Sequence, residues 1–345
     1  ALKSRLTPDV RTRLGKRPTQ DMEAYNLFLL GRQAYHAPSG PEPFARAAQY
    51  LQQAIDRDSG FARAYAWLAL VHVYNAGGYY GVKPHDAWAR ALPMATKAFE
   101  LDPDLAESEV VFGWHAHWVS HDWPAASRHF ERAHSLNPSD AFVCIAHVGL
   151  QTALRHPDDV LAWIRLAEEV DPSSPLIRLN AVVFCWMARL FDEALAELTA
   201  GRGLMTSLGP LLPIVESMLL IALRREAEAA ALLSSLQQEP LDNWSSLMLA
   251  TNLALCGDHK AARGRLGELH ARESTEYVWT AGLACAYGAL GEIDRAFEYL
   301  ERAYDDRAAF MTWLGSAPCF DSLRSDPRLD RMIQRLGVPA IPVHL

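Results

Sequence analysis

The sequence predicts an all-α fold, a solenoid of about eight stacked helix pairs. A helix-terminating phrase returns at intervals of 35 and 34 residues, and small and large apolar residues recur in step with it. No segment shows the two-residue alternation of a strand. Units of this size cannot bury an apolar face alone, so we expect one elongated core in which each repeat contacts only its neighbours.

The helix-terminating phrase is an alanine, three further residues, and then Asp or Asn followed by Pro. Its copies are Ala98–Pro103, Ala133–Pro138 and Ala167–Pro172, and a weaker copy is Ala54–Ser59. Proline disfavours helical geometry in the residue before it, so a helix is expected to end at each copy.

Small residues recur in the second helix of each repeat, where two helices must approach closely. In most repeats a bulky residue follows four positions later, on the same helix face. Gly257 and Gly291 are expected at the tight turn between the two helices of a repeat, because glycine tolerates a left-handed backbone. The small residues are Ala47, Ala91, Ala126, Val160, Ala194, Ala227, Ala262 and Ala296, and the bulky ones are Leu51, Phe130, Ile164, Leu198, Leu266 and Leu300.

This pattern resembles the tetratricopeptide repeat over nearly the whole chain. The best match is Thr280–Ala303, which carries the signature residues Leu283, Ala284, Tyr287, Gly291, Ala296, Leu300 and Ala303. The resemblance implies a right-handed superhelix. Three departures stand out: insertions at His36–Pro43 and Asn75–Asp86, and two prolines in the first helix of the sixth repeat, Gly209–Glu239.

A narrower resemblance rests on the phrases Arg17–Thr19, Phe61–Ala69, Asp122–Trp123 and Leu323–Arg328. They are similar to the C-terminal repeat region of large bacterial signalling proteins, in which a winged-helix, nucleotide cyclase or protein kinase domain precedes the array. The resemblance implies a regulatory role. Residues 1–20, with a net charge of +5, would be a basic connecting segment, and residues 21–345 a single solenoid with a C-terminal capping segment.

The composition narrows the function classes. The formal net charge is −8, which argues against nucleic-acid binding, since phosphate contacts need clustered Lys and Arg. Five scattered cysteines without a Cys-x-x-Cys pair indicate buried thiols in a reducing compartment, so a cytoplasmic location is expected. The longest apolar stretch, Leu211–Leu223, is too short to cross a bilayer.

The predicted binding site is an apolar groove. The resemblance implies that the first helix of each repeat lines the concave surface, and aromatic and aliphatic residues fill those positions here. We expect the groove to hold a peptide or helix from a protein partner or from another domain of the same polypeptide. The groove residues are Val110, Val111, Trp114, His117, Trp118, Phe142, Ile145, Leu179, Asn180, Val183, Trp186, Met187, Trp244, Leu247 and Met248.

Alternatives stay open. The chain is alternatively a free-standing repeat protein that binds a small apolar ligand or peptide, and a tightly wound superhelix would bury the apolar strip against itself. The Gly77–Val82 loop suits either a binding loop or a cover on a neighbouring helix pair.

No enzyme motif is present in the sequence, so neither catalysis nor a cofactor is expected. An enzyme would need a metal at the histidine cluster, where His117 and His121 have the i, i+4 spacing of two metal ligands. The structural interpretation of these histidines is favoured, because no acidic helper accompanies them. The cluster comprises His115, His117, His121, Asp122, His129 and His134.

Overall fold

The computed structural model describes residues 18–35, 41–76 and 81–338, and within these ranges every regular element is a helix. Eight successive helix pairs are followed by a C-terminal segment of two 3₁₀ helices and one α-helix. The predicted all-α solenoid is therefore confirmed. The helices are α1 (Met22–Tyr35), α2 (Pro41–Arg57), α3 (Ala62–Ala76), α4 (Pro84–Leu101), α5 (Ala106–His115), α6 (Trp123–Leu136), α7 (Ala141–Leu154), α8 (Pro157–Val170), α9 (Pro175–Met187), α10 (Phe191–Met205), α11 (Leu211–Ala222), α12 (Glu226–Ser234), α13 (Asn243–Leu255), α14 (His259–Arg272), α15 (Thr280–Ala289), α16 (Ile293–Asp305) and α17 (Pro327–Arg335).

Helices end where the repeated phrase predicts. Asp102, Asn137 and Asp171 follow the last helical residue with φ values of −152°, −140° and −137°, and each precedes a proline. Several helices begin at a side-chain cap. The carboxylate of Asp122 accepts a hydrogen bond from the backbone N–H of Ala125 at 2.9 Å, and so satisfies a donor with no partner inside the helix.

The turns between paired helices carry a second marker with the same period. Gly257 and Gly291 are left-handed as predicted, with φ of 86° and 77°. In four other repeats a non-glycine residue takes the left-handed conformation at the equivalent position: His121, Arg155, Arg189 and Arg224, with φ between 52° and 64°. Sequence reasoning missed these turns because it looked for glycine.

The packing of small residues follows the predicted register with one exception. Seven of the eight small residues, from Ala47 to Ala296, are fully buried, but Ala227 is exposed. In that repeat Ala229 and Leu233 occupy the buried positions. Ala229 is followed four positions later by the bulky Leu233, whereas Ala227 is followed by Ala231. The prediction at Ala227 is wrong because the Ala229–Leu233 pair forms the buried face of this helix.

The array closes on itself. The backbone N–H of Tyr277, before α15, donates to the carbonyl of Gly81, before α4, at 3.0 Å. The indole N–H of Trp123, at the start of α6, donates to the carbonyl of Gly337 at 2.8 Å. The expectation that each repeat contacts only its neighbours is therefore wrong, because the second and third repeats contact residues near the C-terminal end.

Two predictions made from composition can be compared with the structure, the burial of the cysteines and the lack of a membrane-spanning segment. Cys144, Cys185, Cys285 and Cys319 are buried thiols, while Cys256 is partly exposed. Among the helices that the structure describes, none combines the length and apolar character needed to cross a membrane.

Candidate ligand cavity

A C-terminal segment enters the concave side of the solenoid. It consists of two 3₁₀ helices, Ala309–Trp313 and Pro318–Leu323. The indole N–H of Trp313 donates to the carbonyl of Gly149 in α7 at 2.8 Å, and the Arg189 guanidinium donates to the carbonyl of Ser316 at 3.0 Å. The segment therefore occupies part of the space on the concave side and is bonded there to two of the repeats.

A cavity of about 280 Å³ remains between this segment and the repeats. Most of its wall comes from the first helices of repeats one to seven. The lining residues are Tyr35, Phe44, Val73, Tyr74, Trp114, His117, Trp118, Phe142, Ile145, Gly149, Leu176, Leu179, Asn180, Val183, Phe184, Trp186, Met187, Leu211, Met218, Asp242, Trp244, Met248, Phe310 and Trp313.

The structure brings most of the predicted groove residues to this wall. Three of them lie elsewhere. Val110 lines an adjoining polar recess, and Val111 and Leu247 are fully buried in the packing between helices. These two lie on the core-facing side of their helices, so assigning them to the groove was wrong. The predicted residues at the wall are Trp114, His117, Trp118, Phe142, Ile145, Leu179, Asn180, Val183, Trp186, Met187, Trp244 and Met248.

Several wall residues were not predicted. Val73 and Tyr74 lie in the first helix of the second repeat, and extending the repeat register to that helix would have found them. Phe310 and Trp313 lie beyond the last repeat, and nothing in the repeat pattern points to them.

Aromatic rings and methionines shape the wall. The rings of Trp114 and Trp118 stack with centroids 5.3 Å apart and planes 15° from parallel. Trp186 is held between repeats because its indole N–H donates to the carbonyl of Met218 at 3.2 Å. Rigid indoles offer a large apolar surface, and the flexible methionines Met187 and Met248 adapt to irregular shapes.

The wall carries little charge. Among the described lining residues there is no Lys or Arg, and the one carboxylate belongs to Asp242. That carboxylate caps α13, where it accepts hydrogen bonds from the backbone N–H and the hydroxyl of Ser245, both at 2.9 Å. The cavity therefore suits an uncharged molecule.

Two polar groups in the wall stand apart. His117 is 1% exposed, and neither of its ring nitrogens has a hydrogen-bond partner among the described residues. Burial lowers the pKa of His117 to about 3, so its imidazole is neutral near pH 7. The indole nitrogen of Trp118 is also buried without a partner in the described part of the chain. Such groups typically cost roughly 1–3 kcal/mol each.

A polar recess of about 560 Å³ continues the interior beyond the cavity, and the two share Tyr35, Trp114 and Phe142 among their lining residues. In the recess, the Glu107 carboxylate accepts a hydrogen bond from the Trp67 indole at 3.0 Å. Burial raises the pKa of the nearby Asp140 carboxyl. The interior thus changes from apolar to polar along its length.

Among the solved structures named here, IFIT1 shares the fold of this chain, and the other two are less similar. Human IFIT1, in a dimer with m7Gppp-AAAA, is 14% identical, has a TM-score of 0.57, and aligns over 86% of this chain and 75% of its own. The APC/C hetero-tetramer Cut9–Hcn1 (15% identical, TM-score 0.48) aligns over 96% and 67%, and yeast Tom70 (17%, 0.43) over 92% and 68%. The fold is of the tetratricopeptide type.

Sequence comparison adds no family. No protein-family profile matches the chain. No curated protein sequence matches it either.

The histidine cluster of the tetratricopeptide array is dispersed. A π-helical turn at Ala116–Ser120 and the left-handed His121 interrupt the α-helix that would have aligned His117 with His121. His129 instead contacts the Glu109 carboxylate at 2.7 Å, and His134 lies edge-on to Trp163. Across the described ranges, no group of three or more His, Cys, Asp or Glu side chains is arranged to hold a metal ion.

Of the Gly77–Val82 loop, residues 77–80 lie outside the described residues. Gly81 and Val82 border a surface recess that also includes Glu276 and Tyr277 of the seventh and eighth repeats. The insertion at Asn75–Asp86 is partly helical, because α3 runs to Ala76 and α4 begins at Pro84.

Proposed function

We propose that this tetratricopeptide array is a ligand-sensing module: its interior binds a small uncharged apolar molecule, and occupancy controls contact with a protein partner or another domain of the same polypeptide. The role is binding, without catalysis. One observation carries the proposal, the 280 Å³ cavity walled by aromatic and methionine side chains with no Lys or Arg among its described lining.

The size of the cavity favours a small molecule. Small-molecule sites occupy roughly 300–1,000 Å³. This cavity, at about 280 Å³, is slightly smaller than that range and suits a ligand of one ring. A helical peptide is about 10–12 Å across and needs an open groove. Here Trp313 already occupies part of the concave side, 5% exposed and bonded to Gly149.

A peptide or helix in the groove is the second candidate. The aromatic-rich concave wall supports it, since tryptophans are frequent anchors at protein interfaces. Such a ligand would require the 3₁₀ segment Ala309–Trp313 to leave the interior. If a peptide binds in this way, adding it should make the segment around Trp313 accessible to a protease. It should also move the Trp313 side chain out of its buried environment.

The C-terminal segment supplies a physical route from ligand to partner. Phe310 and Trp313 belong to the cavity wall, so a bound molecule contacts both the repeats and this segment. A ligand that binds only when this segment lies in the interior stabilises that arrangement, by an amount that grows with the ratio of ligand concentration to Kd. A partner that contacts the C-terminal end would then meet a different mixture of conformations of that surface with and without ligand.

The regulatory setting rests on the resemblance of Phe61–Ala69 and Leu323–Arg328 to repeat regions of bacterial signalling proteins. We include a preceding output domain in the proposal on that ground. The ligand of the IFIT1 structure is a capped RNA, and we do not extend it to this chain. RNA phosphates need cationic contacts, whereas the net charge here is −8 and the described cavity wall has no Lys or Arg.

The proposal is tested with toluene as probe on the purified protein. We expect toluene to raise the melting temperature and to change tryptophan fluorescence. Val183→Trp, which fills the cavity at a half-buried wall position, should lower toluene affinity more than about tenfold, equivalent to 1.4 kcal/mol. The matched control is Leu204→Trp at a residue that is 42% exposed, and it should bind toluene normally. Equal binding by both variants would refute an interior site.

A further inference from the structure

The two unpartnered polar groups of the cavity wall are sequence neighbours on an unusual turn. His117 and Trp118 lie in the π-helical segment Ala116–Ser120, which is closed by a hydrogen bond from the N–H of Asp122 to the carbonyl of Ala116 at 2.9 Å. A π-turn inserts an extra residue into a helical turn and is frequent at functional sites. Here it brings two consecutive side chains to one wall of the cavity.

The surrounding rings hold both side chains in place. The His117 imidazole has its ring centroid 5.3 Å from that of Trp123 and 5.7 Å from that of Trp313, in edge-to-face arrangements. The Trp118 indole is stacked on Trp114. Neither side chain can therefore reach a distant partner without breaking aromatic contacts. Their ring nitrogens are buried and have no partner among the described residues, so a hydrogen-bonding group on a cavity ligand that approaches them would satisfy them.

The chemistry of these groups defines what they recognise. A neutral imidazole has one N–H donor and one nitrogen acceptor, and an indole has one donor. The His117 and Trp118 ring centroids are 6.4 Å apart. A hydroxyl group satisfies both partners, because it donates one hydrogen bond and accepts others.

We propose that His117 and Trp118 recognise the hydroxyl group of a small neutral ring compound of the phenol type, whose ring lies against the aromatic and methionine wall. The inference rests on the proposed function and specifies its ligand class. The hydroxyl accepts the indole N–H of Trp118 and donates to the unprotonated nitrogen of His117. The ring contacts the apolar wall that includes Trp186 and Met187.

The wall argues against a charged analogue. A carboxylate would enter an apolar cavity whose described lining has no Lys or Arg to pair with it, and Asp242 would repel it. A pure hydrocarbon would fill the same space but leave the three hydrogen-bonding atoms of His117 and Trp118 unsatisfied. The expected order of affinity is phenol, then hydrocarbon, then carboxylate.

The test uses three probes of matched shape, 4-methylphenol, toluene and 4-methylbenzoate, in calorimetric titrations of the purified protein at pH 7. We expect 4-methylphenol to bind at least tenfold tighter than toluene, and 4-methylbenzoate to bind at least tenfold weaker than 4-methylphenol. His117→Phe should weaken 4-methylphenol about tenfold and change toluene affinity less than twofold. Trp118→Phe should act in the same direction, and the exposed His156→Phe should leave both affinities unchanged.

The outcomes separate this inference from the proposed function. Equal affinity for toluene and 4-methylphenol would overturn hydroxyl recognition while leaving the apolar site intact. Binding of neither probe would overturn both. A His117→Phe protein that does not fold leaves the question to Trp118→Phe, and an unchanged ratio of the two affinities in that variant overturns the assignment.

Discussion

Trp313 and Gly149 are 164 residues apart in the chain, yet the indole N–H of one donates to the backbone carbonyl of the other at 2.8 Å. This bond joins the segment after the eighth repeat to the first helix of the fourth. Together with the bonds between Trp123 and Gly337 and between Tyr277 and Gly81, it joins distant repeats and the C-terminal segment across the concave side.

Removing the Trp313 side chain should destabilise the whole array. Trp313 is 5% exposed, so Trp313→Ala should lower the free energy of unfolding by about 3–5 kcal/mol. Trp313→Phe keeps a ring but loses the hydrogen bond to Gly149, and should cost less. Chemical denaturation followed by circular dichroism measures both, with Phe99→Ala, at a residue 39% exposed, as the control. A wild-type transition in Trp313→Ala would contradict the role assigned to this contact.

Truncation after Pro172 tests how far the repeats depend on the closed arrangement. The fragment keeps Gly81, Trp123 and Gly149 but loses their partners Tyr277, Gly337 and Trp313. We expect it to retain helical signal and to unfold at a clearly lower denaturant concentration than the full chain. An equal midpoint for fragment and full chain would support independent repeats instead.

Two tryptophans of the cavity wall should respond differently to truncation. Trp186 is 5% exposed and bonded to Met218, so Trp186→Ala should destabilise the fold by about 3–5 kcal/mol. Trp114 is half-buried, so Trp114→Ala should cost less stability while weakening toluene binding. Melting and titration on the same two proteins provide the comparison. Collapse of both variants would assign the whole wall to structural packing.

Acid should destabilise the protein through His117. The pKa of its imidazole is lowered from 6.5 to about 3 by burial and, to a lesser degree, by His121. Between these two values only the unfolded chain takes up the proton, so stability falls as the pH drops below 6.5. At pH 5 the loss from this one group should be about 2 kcal/mol.

His117→Gln should therefore have a flatter stability profile between pH 7 and pH 5, measured by urea denaturation at each pH. His72 and His147, whose pKa values burial lowers to about 4, keep part of the slope in this variant. The control is His259→Gln at an exposed position, which should retain the wild-type profile. Identical slopes in His117→Gln and wild type would count against a buried neutral imidazole.

A left-handed arginine offers a stabilising substitution. Arg224 has φ of 61°, and its turn has the same backbone hydrogen bonds as the turn at Gly257. A residue with a side chain costs roughly 1–2 kcal/mol in this conformation. Glycine avoids that cost but loses more conformational entropy on folding, which offsets part of the gain. Arg224→Gly should thus raise the unfolding free energy by about 0.5 kcal/mol. The control Ala230→Gly, on the exposed face of α12, should lower it by about 1 kcal/mol. A loss of stability in Arg224→Gly would show that its side chain contributes more than the backbone strain costs.

The sequence by itself determined the repeats, because the signals for them are local. A proline after Asp102, Asn137 or Asp171 acts on the adjacent residue, and alanines four residues before bulky side chains align on one helix face. The resemblance to the tetratricopeptide repeat, in turn, predicted that Trp114, Phe142, Trp186 and Met248 lie on the concave side. The periodicity failed at Ala227, because the buried face of that helix carries Ala229 and Leu233 instead.

Only the tertiary structure decided that a C-terminal segment enters the concave side and leaves a cavity there. These contacts depend on the rotation that accumulates from one helix pair to the next, which brings Gly81 to Tyr277 and Trp123 to Gly337, and no local pattern specifies that sum. The position of Trp313 in the interior likewise depends on a contact with a distant segment, its bond to Gly149. Each helix is determined by residues close together in the sequence, whereas the cavity depends on the fit between segments more than a hundred residues apart.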